Sequence, residues 1–196
     1  MLILGLDQSV TQTGVALYEF PGDERRIKCS SFSCKGDDAG EKCDAFAYEI
    51  KRIIGPKGAA PDFICWERAK QTIAAYPKKA GVDLLGLTST GVGSMTVNAD
   101  QLILPEIQGI IRAGAIFYRI PYESVAVSTW RAALYGRGFG RMPRDAAKAK
   151  AKEYCNQLGI RYANENEAEA ACIARWAATC SQTFRLLMAG VAPNGP

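Results

Sequence analysis

Asp7 closes the apolar run LILGL, Glu67 closes DFICW, and Glu165, Glu167 and Glu169 alternate along NENEAEAA. A carboxylate at the end of an apolar strand stands at the rim of a sheet. Two such strands, adjacent and parallel, would bring their acids together, and a helix crossing that rim would add another. Hard oxygen donors gathered in this way suit Mg²⁺ or Mn²⁺. Two such ions about 4 Å apart can activate water and steady the leaving oxygen of a phosphodiester. Each acid also has an ordinary use on its own: Asp7 as a turn cap, Glu67 as a partner for Arg68, the glutamates as favourable charges at a helix N-terminus.

Composition narrows the chemistry. The chain has no histidine, which removes Ser/His and Cys/His nucleophilic devices and the commonest general base. Its seven cysteines (Cys29, Cys34, Cys43, Cys65, Cys155, Cys172 and Cys180) form no C-x-x-C pair, so neither a zinc site nor a disulfide framework is indicated. Buried free thiols are expected. The formal charge is +4, and its distribution says more than its size. Arg131, Arg137, Arg141, Arg144, Lys148, Lys150 and Lys152 crowd one stretch against the single acid Asp145.

The 196 residues fit one domain able to bury roughly 70% of its unfolded surface. No apolar run approaches the roughly 20 residues of a membrane span, and a soluble, cytoplasmic protein is expected, with no membrane partner and no small-molecule cofactor. Strand-like runs rich in β-branched and aromatic residues occur at Leu2–Leu6, Gly14–Phe20, Ile27–Phe32, Phe63–Trp66 and Ser124–Val127. The first three lie close together, as in a meander. Helical spacing marks Asp44–Ile54 and Pro105–Tyr118, the second with an apolar surface wider than one face. Pro143 and Asp145 open a helix through Leu158 that Gly159 closes. The last helix is expected from about Asn164–Asn166 to Met188, with residues 189–196 as a frayed tail. Arg68–Asp100 lacks sustained periodicity, and long irregular segments in compact domains are usually functional or disordered. The order of elements describes one mixed α/β domain over residues 1–188.

Four blocks together resemble the RuvC-type Holliday-junction resolvases of the RNase H-like superfamily. They are ILGLDQSVTQTGVAL, PDFICWERA, VAVSTWRAALYGRGFGRMPRDAAKAKAKEY and NENEAEAACIARWA. The resemblance implies an RNase H-like mixed five-stranded sheet flanked by helices, two Mg²⁺ or Mn²⁺ ions, and a homodimer acting on branched DNA such as a four-way junction. Asp7 matches the family's first acid and Glu67 its second. The final helix usually carries two aspartates three residues apart, and here Asn166 and Glu169 fall on those positions. Glu169 keeps the charge on a longer arm, whereas Asn166 offers only a neutral carbonyl. Glu165, one turn before Glu169, could substitute, while Glu167 points about 160° away from Glu169 on an ideal helix.

The same resemblance sets Arg131 beside the catalytic centre, where it could stabilise phosphate charge. The adjacent GRGFG can bring backbone amides near a phosphate. Arg137, Arg141, Arg144, Lys148, Lys150 and Lys152 become candidate DNA-backbone contacts. The segment after Glu67 would lie at a junction's centre, with Tyr76 stacking on an unpaired base and Lys78 and Lys79 holding phosphates. Paired symmetric nicks leaving 5′-phosphate and 3′-hydroxyl ends would follow. Three other readings share these residues: an endonuclease of flaps and forks, a DNA-binding relative without catalysis, and the first phosphate loop of an actin-like ATPase. The last needs a second lobe and a second phosphate loop, and the chain shows neither.

Overall fold

The computed structural model describes residues 1–69, 75–77, 81–82, 88–89, 95–97 and 99–191. Strands β1 (Leu2–Asp7), β2 (Thr13–Glu19) and β3 (Lys28–Phe32) form an antiparallel meander. Helix α1 (Ala39–Ile54) then leads to β4 (Phe63–Glu67), which pairs parallel to β1. Four short strands follow, β5 (Ala75–Pro77), β6 (Gly81–Val82), β7 (Thr88–Ser89) and β8 (Met95–Val97), joined as the antiparallel ladders β5–β8 and β6–β7. Helix α2 (Ala99–Phe117), strand β9 (Tyr122–Val125), and helices α3 (Val127–Tyr135), α4 (Arg144–Gln157), α5 (Glu165–Cys180) and α6 (Gln182–Met188) complete the chain. The main sheet has five strands in the order β3-β2-β1-β4-β9, with β9 parallel to β4. This is the mixed α/β sheet flanked by helices that the sequence implies.

The pleat sorts side chains onto two faces. Ile3, Ala16, Tyr18, Phe63 and Cys65 join the core beneath α5, whereas Leu4, Leu6, Val15, Ile64 and Trp66 join the core beneath α1 and α2. Continuing that alternation, Ile3, Gly5 and Asp7 of β1 and Phe63, Cys65 and Glu67 of β4 share the α5 face. Both strand-terminal acids therefore point to the same side of the sheet as the final acidic helix.

Helix α5 lies unusually close to that sheet because glycines admit it. A Cβ on Gly5 would come within 2.5 Å of the Ala170 carbonyl oxygen, and one on Gly14 within 2.0 Å of the Asn166 carbonyl oxygen. The helix contributes small side chains in return, with Ala168, Ala170, Ala171, Ala174 and Ala177 fully buried.

Several boundaries differ from the sequence expectation for identifiable reasons. Helix α1 starts at Ala39 rather than Asp44, because Asp38 accepts from the Glu41 amide at 2.9 Å while Glu41 accepts from the Asp37 amide at 2.7 Å. Helix α2 runs through Pro105 instead of beginning there. Its buried stripe is Ile103, Ile107, Ile111 and Ala115, while Ile116 and Phe117 stand exposed at 51% and 80%. The second apolar face expected of this helix is thus bare within the chain.

The strand expected over Ser124–Val127 is β9, Tyr122–Val125, and residues 127–135, for which no helix is expected, form α3 around the buried Trp130. The expected last helix is two: α5 ends at Cys180, and Ser181, in an extended conformation, accepts from the Phe184 amide at 3.0 Å to start α6. Lys78 and Lys79 lie outside the described residues, as do tail residues 192–196, and Tyr76 is described only through its backbone in β5. Among the described residues no helix is long and apolar enough to cross a membrane.

Gly14→Ala is expected to lower the unfolding free energy by about 3 kcal/mol, the upper range for an overpacked core. Thermal or urea unfolding of the two proteins checks this, and an unchanged midpoint would contradict the close approach of α5.

Candidate metal and nucleic-acid cleft

One open cleft runs along the C-terminal ends of β1 and β4. It is lined by Asp7, Gln8, Glu67, Arg68, Arg131, Arg141, Arg144, Lys148, Lys152, Glu165, Asn166 and Glu169, among others. β1 and β4 are aligned so that Leu6 stands opposite Trp66, which makes Asp7 and Glu67 neighbours one residue further on. Glu169 comes from the first turns of α5, which crosses the rim above them.

Charge repulsion is the dominant electrostatic feature. Burial pushes the Asp7 carboxyl well above the ordinary carboxylate range, and the Glu169 and then the Glu67 charges push it further; Lys148 and Arg131 pull against them. The two glutamates are also held. The buried indole of Trp130 donates to Glu67 Oε2 at 3.1 Å, and Arg131 Nη2 donates to Glu169 Oε1 at 2.8 Å. The main-chain carbonyl of Glu67 accepts from the side-chain amides of Gln8 and Gln108, the latter at 3.0 Å. Gln8 Oε1 is buried and has no hydrogen-bond partner among the described residues.

The remaining acidic-helix residues divide by face. Glu165 pairs with Lys148, and that hydrogen bond, before any other cause, draws its carboxyl below the ordinary value. Asn166 turns its amide onto the Gln12 carbonyl at 2.9 Å and so fastens the β1–β2 turn to α5. Glu167 points away from the cleft. It accepts from the Ala163 amide at 2.8 Å and from Ser31 Oγ at 2.9 Å, while its own amide donates to the capping side chain of Asn164 at 3.0 Å.

The basic residues divide similarly. Arg144, Lys148 and Lys152 recur every fourth position of α4 and line the cleft as one stripe, with Arg141 just before them. Lys150 lies on another face, paired with Glu153 at 2.8 Å and set 5.5 Å from the Phe139 ring centre. Arg137 is exposed and is not part of the cleft wall.

Residues that composition and spacing did not single out include Gln8, Gln108, Trp130 and Arg68. Arg68 donates to the Ser124 carbonyl at 2.8 Å, not to its neighbour Glu67. Trp130 and Gln108 carry no local signal, because their importance arises from helices that meet the β4 terminus only in three dimensions.

The donor set fits a hard divalent cation in an open form. Among the described residues no group of three or more His, Cys, Asp or Glu side chains closes round one ion position. Mg²⁺ is commonly held by one or two carboxylates, several waters and substrate phosphate, which an open rim of oxygen donors allows. The raised affinity of Asp7 for its proton shows that the cluster gains by neutralisation.

That gain carries a sign. Folded Asp7 holds its proton more tightly than unfolded Asp7, so its ionisation costs no stability below the unfolded value and costs progressively more as pH rises through the folded value. Metal-free Asp7→Asn should therefore melt higher than the parent at pH 8, with the difference shrinking towards pH 4. Scanning calorimetry in EDTA across that range checks it.

No protein-family model matches this sequence, and no curated protein matches it either. Solved structures do. A Thermus thermophilus RuvC structure superposes with a TM-score of 0.58 at 16% identity, covering 98% of each chain. T. thermophilus RuvC in complex with Holliday junction substrate gives 0.59 at 15% identity, again over 98% of both chains. Over 98% of its length, then, the chain shares the fold of these RuvC structures.

Proposed function

We propose that this protein is a metal-dependent, structure-selective DNA endonuclease that resolves Holliday junctions as a homodimer through paired symmetric nicks. One observation carries the reading: Asp7, Glu67 and Glu169, from β1, β4 and α5, share a cleft whose other wall is the Arg144–Lys148–Lys152 stripe. Acids that collect cations beside bases that collect phosphates form a phosphodiester site. The likeness of the fold to a RuvC held on junction DNA supports branched DNA as the substrate.

In this reading Asp7, Glu67 and Glu169 hold two Mg²⁺ or Mn²⁺ ions, with Asn166 or Glu165 assisting. Bound there, the metal would activate the attacking water and neutralise charge on the leaving oxygen. The chain's own part is placement. The α4 stripe and Arg141 draw the DNA backbone along the cleft, and their contacts make binding salt-dependent. Asn166 keeps the Gln8–Gly14 turn low against α5, so that a phosphate can reach Asp7. Trp130 fixes the direction of the Glu67 carboxylate.

Paired nicks require two cleft copies. The exposed face of α2 offers a self-complementary surface: Glu106 and Arg112 are both exposed, each three residues from Gly109, where nothing lies within 4 Å of a built Cβ. Two α2 helices crossing antiparallel at Gly109 would set each Glu106 beside the partner's Arg112 and cover Ile116 and Phe117.

Asp7→Asn, Glu67→Gln and Glu169→Gln should each reduce metal-dependent cutting of a labelled four-way junction by about 100-fold or more, the scale on which a single charge-stabilising group acts, with junction binding retained. Equal cutting of flaps and forks would instead favour a broader branched-DNA nuclease. Tight binding without cutting in Mg²⁺ or Mn²⁺ would leave a non-catalytic DNA-binding protein. Lys148→Ala and Lys152→Ala should each weaken binding and reduce the slope of log K against log salt by about 1. Sedimentation tests the dimer: Glu106→Arg or Arg112→Glu alone should dissociate it, and the double exchange should restore it.

A further inference from the structure

Consecutive residues of α3 each occupy one acid of the cleft, Trp130 on Glu67 and Arg131 on Glu169. The two occupants differ in kind. A neutral indole N–H engages one carboxylate oxygen and adds no net charge. A guanidinium brings a full positive charge to the place where the cation's charge must go. The Arg131 and Glu169 side chains are only 12% and 7% exposed, so solvent screens this contest weakly.

The arginine is also incompletely satisfied where it sits. Its Nη2 has Glu169, but its Nε is buried without any acceptor among the described residues. A buried donor left unpaired carries a desolvation cost that a second position with a suitable acceptor would relieve. Its guanidinium carbon lies 5.1 Å from the Trp130 ring centre, so the ring can steady the positive charge when the carboxylate is withdrawn.

We propose that Arg131 is a resident counter-ion of Glu169, holding that carboxylate in the metal-free chain and releasing it when a divalent cation enters. The inference rests on the metal-dependent reading of the cleft and adds a competition to it. Released from Glu169, the guanidinium is free to take a phosphate oxygen through its fork. Arg131 thus serves the acid cluster and the phosphate in turn, and cation affinity in the absence of DNA is limited by an internal rival.

The test is Mn²⁺ binding without DNA, followed by the electron paramagnetic signal of free Mn²⁺, for the parent, Arg131→Gln and Arg131→Lys. Arg131→Gln should bind Mn²⁺ at least about fivefold more tightly than the parent, the lower end of ordinary site-to-site coupling, while its metal-free melting temperature falls. Arg131→Lys, which keeps the charge but loses the fork, should lie between them. Unchanged or weaker Mn²⁺ binding by a folded Arg131→Gln overturns the counter-ion and leaves the metal reading intact. Absence of Mn²⁺ binding in all three overturns both. A measurement on the parent alone guards against a variant that fails to fold: the Arg131 Nε–H nuclear magnetic resonance should move on adding Mg²⁺, and a resonance that stays put overturns the proposal.

Discussion

The distance between α5 and the sheet governs everything else in this molecule. Gly5 and Gly14 leave no room for a β-carbon beneath the helix, and the alanines of α5 fill the space that remains. Because the approach is so close, a glutamate side chain is long enough to bring Glu169 over the ends of β1 and β4. Here the longer arm of Glu169 and the neutral head of Asn166 become comprehensible together. The amide of Asn166 donates to the Gln12 carbonyl, whereas a carboxylate placed there would face a carbonyl oxygen with no proton to offer. The Asn166 amide is a clasp between turn and helix.

Around that contact the chain has assembled charges that oppose one another. Asp7 is half-buried beside two further carboxylates, and the positive groups facing it, Lys148 and Arg131, are each paired with a different acid. Repulsion among these acids is a local cost, and in a cooperative fold it is met by the two apolar cores above and below the sheet.

Much of this was legible in the sequence because it rests on short-range rules. The alternation of β1 and β4, the carboxylates that end them, and the proline-opened, glycine-closed basic helix are local patterns. They led to a mixed α/β sheet with acids at one rim. The helix start at Ala39 was local too, signalled by Asp38 and Glu41, but hidden because apolar periodicity begins later. What was not legible depends on contacts between distant segments. VSTWRAALY, where the expected strand ends at Val127 and no helix is expected, becomes α3 with Trp130 in the core beneath α5 and hydrogen-bonded to Glu67. Similarly, the two glutamines on the Glu67 carbonyl come from positions a hundred residues apart, each unremarkable alone. On α4 the spacing of four put Arg144, Lys148 and Lys152 on one side, but only the packing of that helix showed which side faces the acids and left Lys150 elsewhere.

Cys172 lies three residues beyond Glu169, close to one helical turn, and its sulfur is turned inward, 4.0 Å from that of Cys155 and 3.3 Å from the Tyr135 hydroxyl. Divalent zinc and copper outcompete magnesium wherever a thiolate or an imidazole is within reach. A chain without histidine that also folds this thiol away leaves the described cleft wall without imidazole or thiol, its sulfur confined to the Met142 thioether. Burial of one small side chain would thereby keep a thiolate away from a site whose proposed chemistry calls for a hard ion.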